Sequence, residues 1–281
     1  MTGTQYDAWI GRTETRTDTL ALGPARAMQA IFDDAGAPLA EGDALPPMWH
    51  WLYFHQVARQ SEIGPDGHPA RGSFMPPVEL PRRMFAGARL TYPGALRLGG
   101  TVERTARIAS ISEKSGASGR LVFVGVVNEF RQGGALAVIE EMDIVYRAGG
   151  GRTPAPAMGT LPVPPAGAWT RTVTPDPVML FRYSALTFNG HRIHYDREYA
   201  RDVEGYPGLV VHGPLTASFM AELLRAHAGR RVAAFSFRAR GPLFDLAPFR
   251  VQAMASGAAV TLAAIGPDGQ AAMTGDAALA D

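Results

Sequence analysis

Between Thr101 and Tyr146 the chain swings between apolar and polar residues with a period of two. Leu136, Val138, Met142, Ile144 and Tyr146 alternate with Ala137, Glu141 and Asp143, which places the apolar set on one face of a strand. The pattern predicts strands over 101–112, 121–131 and 136–146. They are separated by the turn sequences EKSGASG and QGG, rich in the residues that turns favour. A second run of strands is expected over 232–240, 249–256, 258–265 and 270–279, the last two divided by Gly266-Pro267-Asp268-Gly269. Helical spacing appears in three places. Ala27, Met28, Ile31 and Phe32 share a face after Pro24, VMLFRYSALT follows Asp176-Pro177, and LTASFMAELLRAH follows Pro214.

The segment 62–90 reads as loop, with His68, Arg71, Arg82, Arg83 and Arg89 giving it cationic character suited to coenzyme A phosphates. The aromatic stretch MWHWLYFHQ around His50 and His55 reads as core, with a second active site as the alternative. Residues 149–177 are dense in glycine and proline and read as a semi-rigid spacer. The chain therefore divides into a first half over 1–148, the spacer over 149–177 and a second half over 178–281. Each half repeats one plan, a helix followed by consecutive antiparallel strands.

Composition narrows the function classes. Among 281 residues, 27 basic and 26 acidic side chains leave a formal charge of +1, which gives no reason to expect nucleic acid or an acidic membrane surface. With no cysteine, thiolate catalysis, disulfides and cysteine-held metals are excluded. The start of the chain lacks a signal-peptide pattern, and no apolar run reaches the ~18 residues of a membrane span. A cytoplasmic protein is expected.

The chemistry concentrates in FRYSALTFNGHRIHYDREYARDVEGYPGLVVHGPL, which holds three of the seven histidines, His191, His194 and His212. Asn189 precedes His194 by five residues, with Gly190 between them to let the backbone turn. Asp196 is placed to cap a short helix. Gly213 stands before Pro214 at the start of a helix, where an unpaired N–H backed by the helix dipole suits an oxyanion. The segment thus offers a histidine base, an amide and an oxyanion donor. His191 reads as a structural hydrogen-bonding residue and His212 as a cap or supporting ring. No zinc-enzyme ligand spacing is present, so no metal is expected.

This motif resembles that of the MaoC-like (R)-specific enoyl-CoA hydratases, in which an aspartate and a histidine five residues apart are followed by a His-Gly turn before the central helix. The resemblance implies an α+β double hotdog fold, two domains that each wrap an antiparallel sheet around a central helix. It implies that His194 is the catalytic base and that Gly213 N–H binds the thioester oxygen. Asn189 stands where most of that family has aspartate. PPMWHWLYF, HPARGSFMPPVELPRRMFAGARL, SEKSGASGRLVFVGV and EEMDIVY narrow the resemblance to the mesaconyl-C4-CoA and itaconyl-CoA hydratase subfamily, in which asparagine at that position is usual. The implied reaction is reversible hydration of a C5 dicarboxylic monothioester to citramalyl-CoA. No cofactor is implied beyond the coenzyme A of the substrate, and a homodimer or higher oligomer is common among similar proteins. A free carboxylate calls for a cation, for which Arg192 and Arg240 are the candidates. Two other classes remain open: a thioesterase, with Glu222 the one acid of the helix after Pro214, and a non-catalytic acyl-CoA binding module.

Overall fold

The computed structural model describes residues 5–280 apart from 117, 118, 150 and 158. The first half contains strand β1 (Thr13–Thr19), helix α1 (Leu22–Ile31) and strands β2 (Arg82–Thr91), β3 (Thr101–Gly116), β4 (Gly119–Gln132) and β5 (Ala135–Arg147). The second contains β6 (Trp169–Val173), helices α2 (Pro177–Leu186) and α3 (Gly213–His227), and strands β7 (Val232–Ala239), β8 (Phe249–Ser256), β9 (Ala259–Ile265) and β10 (Ala271–Leu279).

The strands form one antiparallel sheet in the order β1-β3-β4-β5-β2-β7-β10-β9-β8-β6. Replacing each strand of the left half by its counterpart in chain order turns β1-β3-β4-β5-β2 into β6-β8-β9-β10-β7. The duplication is therefore explicit in the topology, as a double hotdog requires. The halves join where β2 pairs with β7, Ala88 opposite Phe237 and Leu90 opposite Phe235. At this seam a Cβ on Gly87 would lie 2.3 Å from the Phe237 carbonyl oxygen, so only glycine lets the strands approach.

Three strands depart from the expected pattern. The Gly/Pro-rich segment contains β6, and the expected loop contains β2, whose regular alternation is broken by a bulge between Phe85 and Gly87. β1 (TETRTDT) has no apolar residue. Both β1 and β6 are sheet edges, where short polar strands discourage pairing with other chains. β3 and β4 also extend further into the EKSGASG turn than expected.

Helix α3 is buried on every side, from Leu215 through Leu224, because the second half of the sheet wraps around it. One core runs through both halves, joining Met28, Phe32 and Trp49 to Phe219, Phe235 and Phe249. In the first half α1 has only 10 residues, about 15 Å of helix. Strands of 13 to 16 residues extend about three times as far. The helix cannot cover them, and part of their inner face, including Val126, Asn128, Phe130 and Met142, lines a cleft instead.

Candidate active site

The cleft has a volume of about 930 Å³ and is lined from both halves, by Asn189, His191, His194 and Gly213 on one side and Arg83, Phe85 and Asn128 on the other. Helix α2 delivers the motif loop. Asp176 caps it by accepting from Met179 N at 2.7 Å, and Phe188 leaves it in the left-handed region at φ 51°. The sharp turn thus falls on Phe188 rather than on Gly190.

Asn189 N donates to Ser184 O at 2.8 Å, and Asn189 Oδ1 accepts from His191 N at 3.0 Å. A backbone N–H can only donate, so the side-chain atom meeting it must be the oxygen. The Asn189 NH₂ is the group left to address a ligand.

His194 ends a short helical turn and is 7% exposed. Its Nδ1 lies 2.7 Å from Val210 O. A carbonyl only accepts, so Nδ1 carries the proton and Nε2 keeps its lone pair. Burial pushes the His194 pKa down to about 4, against the Val210 hydrogen bond, which raises it. His212 stacks on His194 with ring centres 3.6 Å apart, and Ser184 Oγ meets its Nε2 at 2.8 Å. His191 meets the His194 ring edge-on at 5.4 Å. Burial, then the neighbouring imidazoles, hold both rings well below the ordinary histidine range. Two neutral imidazoles therefore flank the unprotonated Nε2 of His194.

Gly213 opens α3 with no side-chain cap on that helix end. Pro214, next in line, has no N–H, which leaves the Gly213 amide as a donor at the cleft wall. Arg240 lies at the cleft mouth, exposed, with Nε 3.4 Å from Thr274 Oγ1. Arg192 does not line the cleft. It pairs with Asp196 at 2.7 Å, donates to Pro65 O at 3.1 Å and covers the Tyr199 ring. Asp196 itself caps the following turn through Tyr199 N at 3.0 Å. Glu222 is buried on α3, paired with Arg225 at 2.8 Å and absent from the cleft wall.

The structure adds residues that the motif did not reveal. The turn GPDGHP from the first half folds against the motif loop, with Arg192 N donating to Asp66 O at 2.9 Å. A Cβ on Gly67, which has φ +90°, would fall 1.8 Å from Gly190 O. Gly190 and Gly67 are thus both needed for close approach. This contact sets His68 against His191, with ring centres 4.1 Å apart, and Asp66 Oδ2 accepts from His68 Nδ1 at 3.0 Å. In the sequence His68 stood out only as one cationic residue of a loop, and the glycine-bounded turn that carries it with Asp66 gave no sign of contact with the motif.

Asp66, His68 and His191 offer ligand atoms within 4.8 Å of one another, the one grouping of metal-holding spacing among the described residues. Asp66 Oδ2 already engages His68 Nδ1, and burial, more than any neighbouring charge, holds both histidines below their ordinary range. Of the other arginines in this region, Arg71 donates to the carbonyls of Val78, Leu80 and Pro81. Arg82 pairs with Glu204 at 3.1 Å, and Arg89 with Glu141 and Asp143.

The aromatic stretch divides by residue. Trp49 is core, stacked on Phe32. His50 and Trp51 instead join a buried network around Glu140, which accepts from His50 Nε2 at 3.3 Å, Trp51 Nε1 at 2.5 Å and Asn128 Nδ2 at 2.9 Å. Burial would raise the Glu140 pKa, yet His50, Trp51 and Asn128 hold it below the ordinary carboxylate value.

Residues 48–245 match the family model of hydroxyacyl-thioester dehydratase type 2. The chain is 52% identical to mesaconyl-C(4)-CoA hydratase of Chloroflexus aurantiacus over 275 residues, 98% of each chain. It is 41% identical to the mitochondrial hydroxyacyl-thioester dehydratase type 2 of Schizosaccharomyces pombe over 31% of this chain and 29% of that one. HtdX of Mycobacterium tuberculosis superposes with a TM-score of 0.65 at 18% identity, covering 96% of this chain and all of that one. A second protein of the same organism, described as a double hotdog, superposes at 0.59 with 16% identity, covering 96% of each chain. No helix among the described residues is long and apolar enough to cross a membrane. By its family match and by full-length sequence similarity, the chain belongs to the hydroxyacyl-thioester dehydratase type 2 family, and its fold is a double hotdog.

Proposed function

We propose that the protein is a hydro-lyase that adds water reversibly to an α,β-unsaturated C5-dicarboxylyl-CoA thioester, with mesaconyl-C4-CoA as substrate and citramalyl-CoA as product. The observation that supports this reading is that His194, with Nδ1 engaged by Val210 O, and Gly213 line one cleft, in a chain 52% identical to a hydratase of that name. Hydration of such an ester needs three things: a base for water, a donor for the enolate oxygen and a proton for the α-carbon.

In this mechanism His194 Nε2 removes a proton from water as the oxygen attacks the β-carbon. The Asn189 NH₂ donates to the water oxygen and orients it, a role an amide can fill without acting as a base. Gly213 N–H donates to the thioester oxygen as negative charge gathers there. His194, now an imidazolium, returns the proton to the α-carbon and ends neutral, as it began. Arg240, exposed on the cleft lining, would meet the coenzyme A moiety in this reading. No resident cofactor takes part, and coenzyme A arrives with the substrate. A cytoplasmic protein that associates as a homodimer or higher oligomer fits this reading.

A second reading, 3-hydroxyacyl-thioester dehydration in fatty-acid metabolism, draws on the family model itself. Thioester hydrolysis is disfavoured, because Glu222 on α3 faces Arg225 rather than the cleft. The test follows loss of enoyl-thioester absorbance with mesaconyl-C4-CoA and crotonyl-CoA, and chromatographic formation of citramalyl-CoA with itaconyl-CoA, for wild type and His194→Ala. Hydration fastest on a dicarboxylic ester and lost in the variant is the expected result. Preference for crotonyl-CoA would transfer the protein to the second reading, and binding without turnover of any ester would refute the enzyme reading.

A further inference from the structure

We propose that Arg83, supplied by the first half of the chain, receives the free carboxylate of the substrate and so sets its preference for dicarboxylic acyl groups. The inference rests on the reading of the protein as a C5-dicarboxylyl-CoA hydratase and names a subsite for it.

Arg83 lies on β2, half-buried and opposite Tyr146 of β5, and lines the same cleft as Asn189, His191, His194 and Gly213. Other cleft arginines are already engaged: Arg16 and Arg104 pair with Glu14, and Arg82 pairs with Glu204. No acidic side chain pairs with Arg83 among the described residues. Arg147 also lines the cleft without a carboxylate, opposite Arg82 on β2. Arg83 shares the cleft lining with Asp66 and His68, and His68 packs on His191, whose ring meets that of His194 edge-on.

The chemistry calls for a cation there. In mesaconyl-C4-CoA the free carboxylate is bonded directly to the β-carbon, the atom that water attacks. Its negative charge repels an oxygen that is losing a proton. The neighbouring imidazoles are held neutral by burial, so none can balance that charge in the resting site. A guanidinium stays charged in any environment and can grip both carboxylate oxygens in one plane. Arg192, the motif arginine, is tethered to Asp196 and stands outside the cleft.

The experiment compares kcat/KM for mesaconyl-C4-CoA and crotonyl-CoA in wild type, Arg83→Gln and Arg83→Lys, with thermal melting of each. The two esters share coenzyme A and differ in the carboxylate. The ratio of kcat/KM (dicarboxylic over monocarboxylic) is expected to fall on the order of 100-fold in Arg83→Gln and to recover partly in Arg83→Lys. An unchanged ratio, with both esters slowed alike or neither slowed, would overturn the subsite. If wild type hydrates crotonyl-CoA but not mesaconyl-C4-CoA, the functional reading fails and the subsite with it. An unchanged ratio in a protein that does hydrate mesaconyl-C4-CoA removes the subsite alone.

Discussion

The rings of His194 and His212 lie in planes 17° apart, with centres 3.6 Å from each other. Two imidazolium rings at that distance would repel strongly, so the stack favours the neutral state of both. His212 is fully buried, and its protonation would place an unscreened charge behind the base. The pair thus keeps Nε2 of His194 unprotonated and free to accept a proton.

The pH dependence follows. The His194 pKa is depressed from 6.5 to about 4 in the folded protein, so as pH falls the unfolded chain takes up its proton first. Stability is full above about 6.5 and is lost as pH drops toward 4. Each histidine contributes a slope of at most ~1.4 kcal/mol per pH unit. The melting temperature is expected to decline over that window and to be flat above it. The acid limb of kcat/KM is expected near pH 4 rather than near the value of a free imidazole.

His194→Gln is expected to lower kcat by about 10²–10⁴-fold, the usual contribution of a positioned base. The glutamine amide can keep the hydrogen bond to Val210 O, so folding should be little affected. Single-turnover hydration with melting as a control measures both. A variant within a few-fold of wild-type rate would remove His194 from the mechanism.

Gly213 offers a contrast between two substitutions. An alanine keeps the N–H, and its Cβ would meet no neighbour within 4 Å among the described residues. A proline removes the donor while keeping a φ suited to the first helical position. Gly213→Pro is expected to cost about 10²–10³-fold in kcat, and Gly213→Ala far less. Equal losses in both would mean that the amide does not hold the oxyanion.

Gly67 is far from the motif in sequence, yet Gly67→Ala should impair it. The added Cβ would sit 1.8 Å from Gly190 O, at a φ of +90° that alanine resists. The turn must withdraw, taking Asp66 and His68 away from His191. A lower kcat with a lower melting temperature is expected, with coenzyme A ester affinity changed less. Circular dichroism melts beside steady-state kinetics test it, and unaltered turnover would show that the contact is dispensable.

Glu140→Ala would leave the donors of His50, Trp51 and Asn128 without their shared acceptor in the core. Removing one member of a buried charged network typically costs about 3–5 kcal/mol, and urea unfolding should record a loss of that size.

Much of the second half was legible in the sequence, because its strands bury one face and its central helix is apolar and announced by proline. The first half was less so. β1 carries threonine and charge on an open sheet edge, and β2 is bulged between Phe85 and Gly87, so neither shows the period of a half-buried strand. In the site, Asn189, His194 and Gly213 were legible as one local cluster and meet in one cleft. Arg192 was misleading, since adjacency in sequence placed it in the motif but Asp196 holds it outside the cleft. Asp66, His68 and Arg83 reach the site only through tertiary contact, which no local spacing can encode.

The seam between β2 and β7 has a further consequence. Arg83 and His194 belong to different halves but to one covalent chain, and the β2–β7 ladder zips those halves together. Dilution therefore cannot take the cleft apart, as it could where two separate subunits supplied its walls. The completeness of the site is independent of mass action, whatever larger assembly the protein forms.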